Sequence, residues 1–209
     1  MPVVDAADFL PERPTLPSLR TAAAGCRGCD LYERASQTVF GDGTPRASLM
    51  LVGEQPGDME DRQGEPFVGP AGRVLDDGLE QAGIDRGDVY LTNAVKHFKW
   101  KPSGKRRLHQ RPSAREVQAC RPWLMAEIGA VKPELVLCLG ATAASSLLGN
   151  DFRVTRARGV PLERDGLLLM ATVHPSAILR AAENRVREMA AFVADLRQAS
   201  AAVAQLKSS

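Results

Sequence analysis

A carboxylate in a glycine and proline loop, two histidines and an asparagine near the ends of apolar runs, and four cysteines are the residues here whose types and spacing can do chemistry. The run Leu49-Met50-Leu51-Val52 stops at Gly53 and delivers Glu54 into the loop Gln55-Pro56-Gly57-Asp58. In open α/β sheets ligands collect beyond the carboxyl ends of the strands, and glycines let the backbone approach a flat or anionic ligand closely. The connection continues through Gly64-Glu65-Pro66-Phe67-Val68-Gly69-Pro70-Ala71-Gly72. That is far longer than the usual link in a compact α/β unit, and such loops are usually functional. His174 follows the last apolar run in Val173-His174-Pro175-Ser176, so it emerges at the same edge as Glu54. Ser176, positioned to begin the final helix, marks an N-terminus that can hold a phosphate. Asn93 ends another such run, and His109 closes Gly104-Lys105-Arg106-Arg107-Leu108-His109. His97, the third histidine, reads as structural.

Cys26-Arg27-Gly28-Cys29 is a C-x-x-C pair, with Cys120 and Cys138 far along the chain. A structural disulfide is not expected in the cytosol. Taken singly, Cys120 shares a helical face with Val117 and Leu124, and Cys138 sits inside an apolar strand, so each reads as a core thiol. Taken together, the four thiolates make a closed tetrahedral set that suits either zinc or an iron-sulfur cluster, and spacing does not choose between them.

The elements that must position these groups follow from hydrophobic patterning. Apolar runs at Ser48–Gly53, Asp88–Asn93, Glu134–Gly140 and Leu167–Val173 predict buried parallel strands. Leu75, Leu79 and Ala82 fall on one helical face, Ser113 with Glu116 is a capping-box signature, and Ala141–Leu148 predicts a short helix entered from Gly140. Pro122 is expected to start or kink its helix. Ser176–Leu206 is expected to be largely helical, and residues 1–20, with four prolines, to form an arm wrapped on the surface. At 209 residues, 44% hydrophobic and 25% charged, the chain predicts a single α/β domain. Its net charge of +2 is uninformative, but Lys96, Lys99, Lys101, Lys105, Arg106, Arg107, Arg111, Arg115 and Arg121 face the single acid Glu116 in one segment, which suits a polyanion. The chain opens without a basic leader, and no run approaches the ~20 apolar residues that cross a bilayer, so a cytoplasmic monomer is expected, with no membrane partner.

Jointly, the four cysteines, the motif Gly53-Glu54-Gln55-Pro56-Gly57-Asp58, Asn93, and His174-Pro175-Ser176 resemble the iron-sulfur members of the uracil-DNA glycosylase superfamily, close to family 4. Gln55 and the basic loop Lys105-Arg106-Arg107-Leu108-His109 make the resemblance closest to its UdgX-type enzymes, whose usual Ile stands as Leu108 here. The resemblance implies a three-layer α/β/α fold with a central four-stranded parallel sheet, over a basic active-site loop at 96–112. It implies a 4Fe-4S cluster on Cys26, Cys29, Cys120 and Cys138. It further implies excision of uracil from DNA, with single strands favoured because an unstacked base is cheaper to extrude, and a covalent link through His109 to the abasic site. Asn93 is then expected to read the uracil edge and Phe67 to stack on the ring. Gln55 and Asp58 line the pocket, His174 holds the carbonyl oxygen, and Glu54 receives a proton. Lys105, Arg106, Arg107 and Ser176 are expected to hold phosphates, with Arg107 also pinning the loop. A conventional multiple-turnover glycosylase, and a zinc-stapled nucleic-acid-binding module, are the two rival readings.

Overall fold

The structure is a computed structural model and describes residues 5–208. Along the chain run helix α1 (Leu16–Ala23), strands β1 (Asp42–Gly43) and β2 (Leu49–Gly53), helices α2 (Asp58–Gln63) and α3 (Pro70–Ala82), and strand β3 (Val89–Asn93). Strands β4 (Trp100–Ser103) and β5 (Arg106–His109) precede helix α4 (Ala114–Val131), strand β6 (Leu135–Leu139), and helices α5 (Ala141–Leu148) and α6 (Val154–Ala157). Strands β7 (Leu162–Arg164) and β8 (Leu167–Thr172) and helices α7 (Pro175–Leu179) and α8 (Arg185–Ser208) complete it.

The four apolar runs form parallel strands in the order β3-β2-β6-β8. Each is covered on both faces, which is why it reads as continuous apolar sequence. Met50 and Val52 of β2, Val136 and Cys138 of β6, and Leu169 and Ala171 of β8 share a core with Leu124 and Ile128 of α4 and Leu147 of α5. The alternate residues Leu49, Leu51, Leu135, Leu137 and Met170 pack with Leu75 and Leu79 of α3 and Phe192 and Leu196 of α8. Helices, sheet and helices therefore make three layers.

Two short antiparallel strands, β1 beside β3 and β7 beside β8, extend the four expected strands to a six-stranded sheet. The basic segment is not a loop but a separate hairpin pairing Trp100 with His109 and Ser103 with Arg106. Its two-residue turn starts at Gly104, whose φ of 58° is the left-handed geometry such turns require. Pro122 lies inside the 18-residue α4 and does not start it. Ser176 belongs to the five-residue α7, and a separate α8 forms the final helix. Residues 1–4 of the expected arm lie outside the described residues. The rest of the arm packs through buried Ala6 and Leu19 against Trp123 of α4. Its backbone meets the C-x-x-C turn so closely that a Cβ on Gly28 would lie 2.7 Å from the Asp5 carbonyl carbon. Among the described residues no helix is long and apolar enough to cross a membrane.

Candidate active site

Parallel register brings the chemistry to one edge. Gly53 pairs with Asn93, Val52 with Cys138, and Leu139 with Thr172, so all four strands end together. Beyond those ends lies a cavity of about 620 Å³ bordered by Gln55, Asp58, Phe67, Asn93, His109 and His174, with Ser176 and Arg180 at its rim. Asn93 is 3% exposed. A Cβ on Gly53 would lie 2.3 Å from Asn93 Oδ1 and 2.7 Å from Phe67 Cζ, so a glycine there lets an amide and an aromatic edge meet on the cavity floor. Phe67 itself takes φ 58° and stacks 6.3 Å from the His174 ring at an interplanar angle of 29°.

His174 Nδ1 accepts the Ser176 backbone N–H at 3.1 Å and lies 2.8 Å from Ser176 Oγ. In the neutral ring the proton is therefore on Nε2, which makes that nitrogen a donor. Burial, then the neighbouring Arg180 and His109, push the His174 pKa down to about 4. Ser176 thus caps the His174 ring, a use of its hydroxyl that competes with phosphate binding. His109 is also held below the ordinary imidazole range, by burial first and Arg180 after it, with Glu54 opposing. Its Nε2 lies 3.7 Å from Glu54 Oε1. Thr142 Oγ1 donates to the other Glu54 oxygen and accepts from Arg111 Nε at 3.2 Å. Thr142 was not singled out from sequence and Arg111 only as one of the basic segment, although Thr142 lies two residues past the strand-ending Gly140, where an α/β sheet presents its ligands.

Two side chains expected in the pocket turn out to hold the hairpin. Gln55 Nε2 donates to Lys99 O at 3.3 Å and Gln110 O at 3.0 Å, and its Oε1 accepts Lys99 N–H at 3.2 Å. The amide is consumed by the two hairpin roots, so it lines the cavity without a free polar atom directed into it. Asp58 accepts from Arg107 Nε and from Arg62 at 3.1 Å. Burial opposes ionisation, but these hydrogen bonds hold the carboxyl below its usual range. Arg107 also donates to buried Asp61 and, at 3.1 Å, to Ser36 Oγ. It lies over Phe98 and Trp100, at 5.4 and 5.5 Å from the ring centroids. Hairpin alternation puts Arg107, His109 and Trp100 on this inner face, with the His109 side chain still 50% exposed, while Lys105 lies at the turn and Arg106 on the outer face.

The four cysteines do not gather. Cys26, Cys29 and Cys120 share an apolar cluster with Leu31, Phe40 and Trp123. Cys138 is instead wholly buried in β6 beside Val52 and Ala171, a member of a separate core cluster. Burial alone pushes its thiol up to about 12, as expected of a cysteine serving as a small apolar side chain. Among the described residues no group of three or more potential ligands is already set to hold a metal ion. Burial also pushes Cys120 up to about 12, against the pull of Lys96, whose backbone N–H donates to Cys120 Sγ at 3.3 Å. Two observations nonetheless fit a guest between the three thiols. Trp123 Nε1 is buried without a partner beside Cys26 and Cys120. The next residue after Lys96, His97, is 5% exposed, with Nε2 2.9 Å from Thr38 Oγ1, which donates to Ala23 O three residues before Cys26.

Residues 40–197 match the family model of the uracil DNA glycosylase superfamily. The chain belongs to that superfamily. It is 37% identical to a Type-4 uracil-DNA glycosylase of Thermotoga maritima over 166 residues, 78% of this chain and 83% of the relative. Identity is 35% over 179 residues with a Type-4 enzyme of Pyrobaculum aerophilum, covering 79% and 85% of the two chains. With one of Archaeoglobus fulgidus it is 37% over 162 residues, covering 74% and 78%. Within this glycosylase the floor depends on helix α3 approaching Phe67 without a side chain, since a Cβ on Gly72 would lie 1.8 Å from Phe67 O. Gly72→Ala is therefore expected to displace the Phe67 loop and to lower stability by about 1–3 kcal/mol. Denaturant unfolding checks the stability, and fluorescence of a uracil-site analogue opposite Phe67 checks the displacement.

Proposed function

We propose that this uracil-DNA glycosylase excises uracil from DNA, single strands favoured, and is then linked covalently through His109 to the abasic sugar. The observation that carries the reading is the His109 imidazole on the cavity wall, with Glu54 Oε1 3.7 Å from its Nε2. Uracil enters the cavity flipped, stacks on Phe67, and is read by the Asn93 amide, which offers both a donor and an acceptor. As the glycosidic bond breaks, its electron pair leaves with the base, and the His174 Nε2–H donates to the oxygen where that charge collects. Glu54 sets negative charge beside the sugar cation. A ring nitrogen of His109 closes a carbon-nitrogen bond on the anomeric carbon, and the proton lost from the ring passes by way of Glu54 to solvent. The neutral alkylated imidazole is a poor leaving group, so the adduct persists. Lys105 and Arg106, exposed on the hairpin, hold phosphates. Arg107, spent on Asp58 and Asp61, pins the hairpin so that His109 faces inward.

The cofactor of this reading is a 4Fe-4S cluster, whose role is that of a staple between the arm, α1 and α4. Cys26, Cys29 and Cys120 supply three ligands. Cys138, in a separate core cluster, does not fit the set. His97 supplies the fourth: the Thr38 hydroxyl spends its proton on Ala23 O and so accepts from Nε2–H, which leaves Nδ1 as the unprotonated nitrogen. Cys138→Ala is expected to keep the brown visible absorbance of the purified protein and its iron content, whereas Cys120→Ala and His97→Ala lose both. A colourless Cys138→Ala protein would return Cys138 to the ligand set.

Mixing the protein with a labelled uracil-containing single strand is expected to give stoichiometric free uracil and a shifted band that survives boiling on a denaturing gel. His109→Ser is expected to release uracil without the band. A variant that neither excises uracil nor releases an abasic site overturns this division of labour, and wild-type protein with turnover and no band supports the conventional glycosylase.

Because attack needs the neutral ring and burial lowers the His109 pKa, the rate of adduct formation is expected to be level around neutral pH. It should fall only below the ordinary imidazole value of ~6.5. Arg180 contributes to the lowering at both histidines. Arg180→Ala should therefore move this acid limb to higher pH, as read in single-turnover rates at saturating protein.

A further inference from the structure

Behind the cavity floor lies a buried ion pair that the chemistry above does not use. The Lys96 side chain is 1% exposed and that of Glu127 0% exposed. Lys96 Nζ donates to Glu127 Oε2, to Thr92 Oγ1 at 2.6 Å and to Asn93 O at 2.7 Å, which spends all three of its protons. Glu127 also accepts Gly41 N–H at 2.9 Å, Tyr90 OH at 3.1 Å and Thr92 Oγ1–H at 3.0 Å. Three residues of β3, the strand that carries Asn93, are thus tied to one carboxylate on α4 or to its cation. The turn that brings Lys96 back beneath Asn93 is fixed from the other side, since Ala94 N–H donates to Gly53 O at 2.9 Å and Val95 N–H to Glu54 O at 3.0 Å.

We infer that Lys96, held by Glu127, is the positioning residue for uracil recognition by Asn93. The inference rests on the role given to Asn93 above. The Asn93 amide has to meet the pyrimidine edge with both its donor and its acceptor in line, and its side chain is confined between Gly53 and Phe67. Its backbone carbonyl is the nearest point at which orientation can be fixed, and the bond at that point comes from an ammonium, a charge-assisted donor stronger than a neutral one. The same residue's backbone N–H reaches Cys120 Sγ at 3.3 Å, so the uracil edge and the thiol pocket are registered to each other through one residue.

The test replaces the pair by groups that keep the network uncharged. In Lys96→Met/Glu127→Gln the glutamine still accepts Gly41 N–H and can donate to Thr92, while the bond to Asn93 O is lost. The expected result is a folded protein with its visible absorbance intact and wild-type affinity for a uracil-free strand. Its excision rate at saturation is expected to be lower by about 10- to 100-fold, the scale on which small misplacements act. In an Asn93→Ala background the same double change should cost less than about twofold, because coupled residues are non-additive. Lys96→Arg provides the second variant, keeping the buried charge while moving its donors, and is expected to show the same selective loss of rate. Full excision by a folded double variant or by Lys96→Arg, or additive losses with Asn93→Ala, would make the pair a plain core element and overturn the inference. Wild-type protein assayed alongside separates the two readings: absence of uracil release there defeats the proposed activity, whereas release there with unimpaired variants defeats only this inference.

Discussion

The site is organised by a space that must stay empty. Gly53 ends β2 where Asn93 ends β3, and a methyl group there would lie 2.3 Å from the Asn93 amide oxygen and 2.7 Å from the Phe67 ring. Because nothing occupies that volume, an aromatic ring and an amide from distant segments close on each other and define a flat slot. The requirement propagates outward. Phe67 reaches the slot only in a left-handed conformation, which costs of order 1–3 kcal/mol for a non-glycine residue. It is held there because α3 meets its carbonyl through Gly72. Glu60 then ties the two ends of the intervening segment, accepting Gly57 N–H at 3.1 Å and Gly69 N–H at 2.8 Å.

Onto this floor the hairpin is attached as a second unit whose fixings are legible residue by residue. Gln55 grips both hairpin roots through three backbone hydrogen bonds, and Arg107 anchors the far strand to Asp58 and Asp61. A shorter side chain at 55 could not span Lys99 and Gln110, so the glutamine and the hairpin belong together physically. Only in that arrangement does a histidine four residues beyond the turn come within 3.7 Å of the Glu54 carboxylate. The same fixings explain why the most inward arginine of a basic segment is the least available to DNA: its charge is already neutralised by two carboxylates.

How much of this was legible in the sequence depended on whether burial enforced a pattern. The four central strands were, to within a residue at each end, because burial on both faces demands unbroken apolar runs. Ala141–Leu148 and the Ser113 cap were too, because glycine and capping chemistry act locally. The hairpin was not: its strands are short, charged and mostly exposed, and Gly104-Lys105 lacks the Asn-Gly or Asp-Gly signature. The edge strands, two and three residues long, carry no periodicity at all. Cysteine is the most instructive case. Residue type alone made Cys138 a ligand, whereas its place inside Leu135–Leu139 marked it as core, and the core reading agrees with its position. His97 shows the converse, a histidine read as bland whose Nε2 meets Thr38, itself bonded to Ala23 just before Cys26.

The buried pair behind the floor shows why such a site keeps charges that a simpler core would omit. Removing one partner of a buried ion pair costs about 3–5 kcal/mol, yet replacing both by apolar groups is often neutral, so net stability is a poor reason to keep Lys96 and Glu127. What apolar groups cannot do is direct hydrogen bonds. Glu127 has four separate donors converging on it, from the backbone at Gly41, two hydroxyls of β3, and Lys96. An apolar replacement would leave those donors unsatisfied and free the carbonyl of Asn93 to turn. A strand end packed only by dispersion fixes a residue's position far better than the plane of its peptide, and the Asn93 side chain departs from that peptide. The charge at 96 and 127 therefore makes physical sense as orientation delivered through the backbone, with stability no more than maintained.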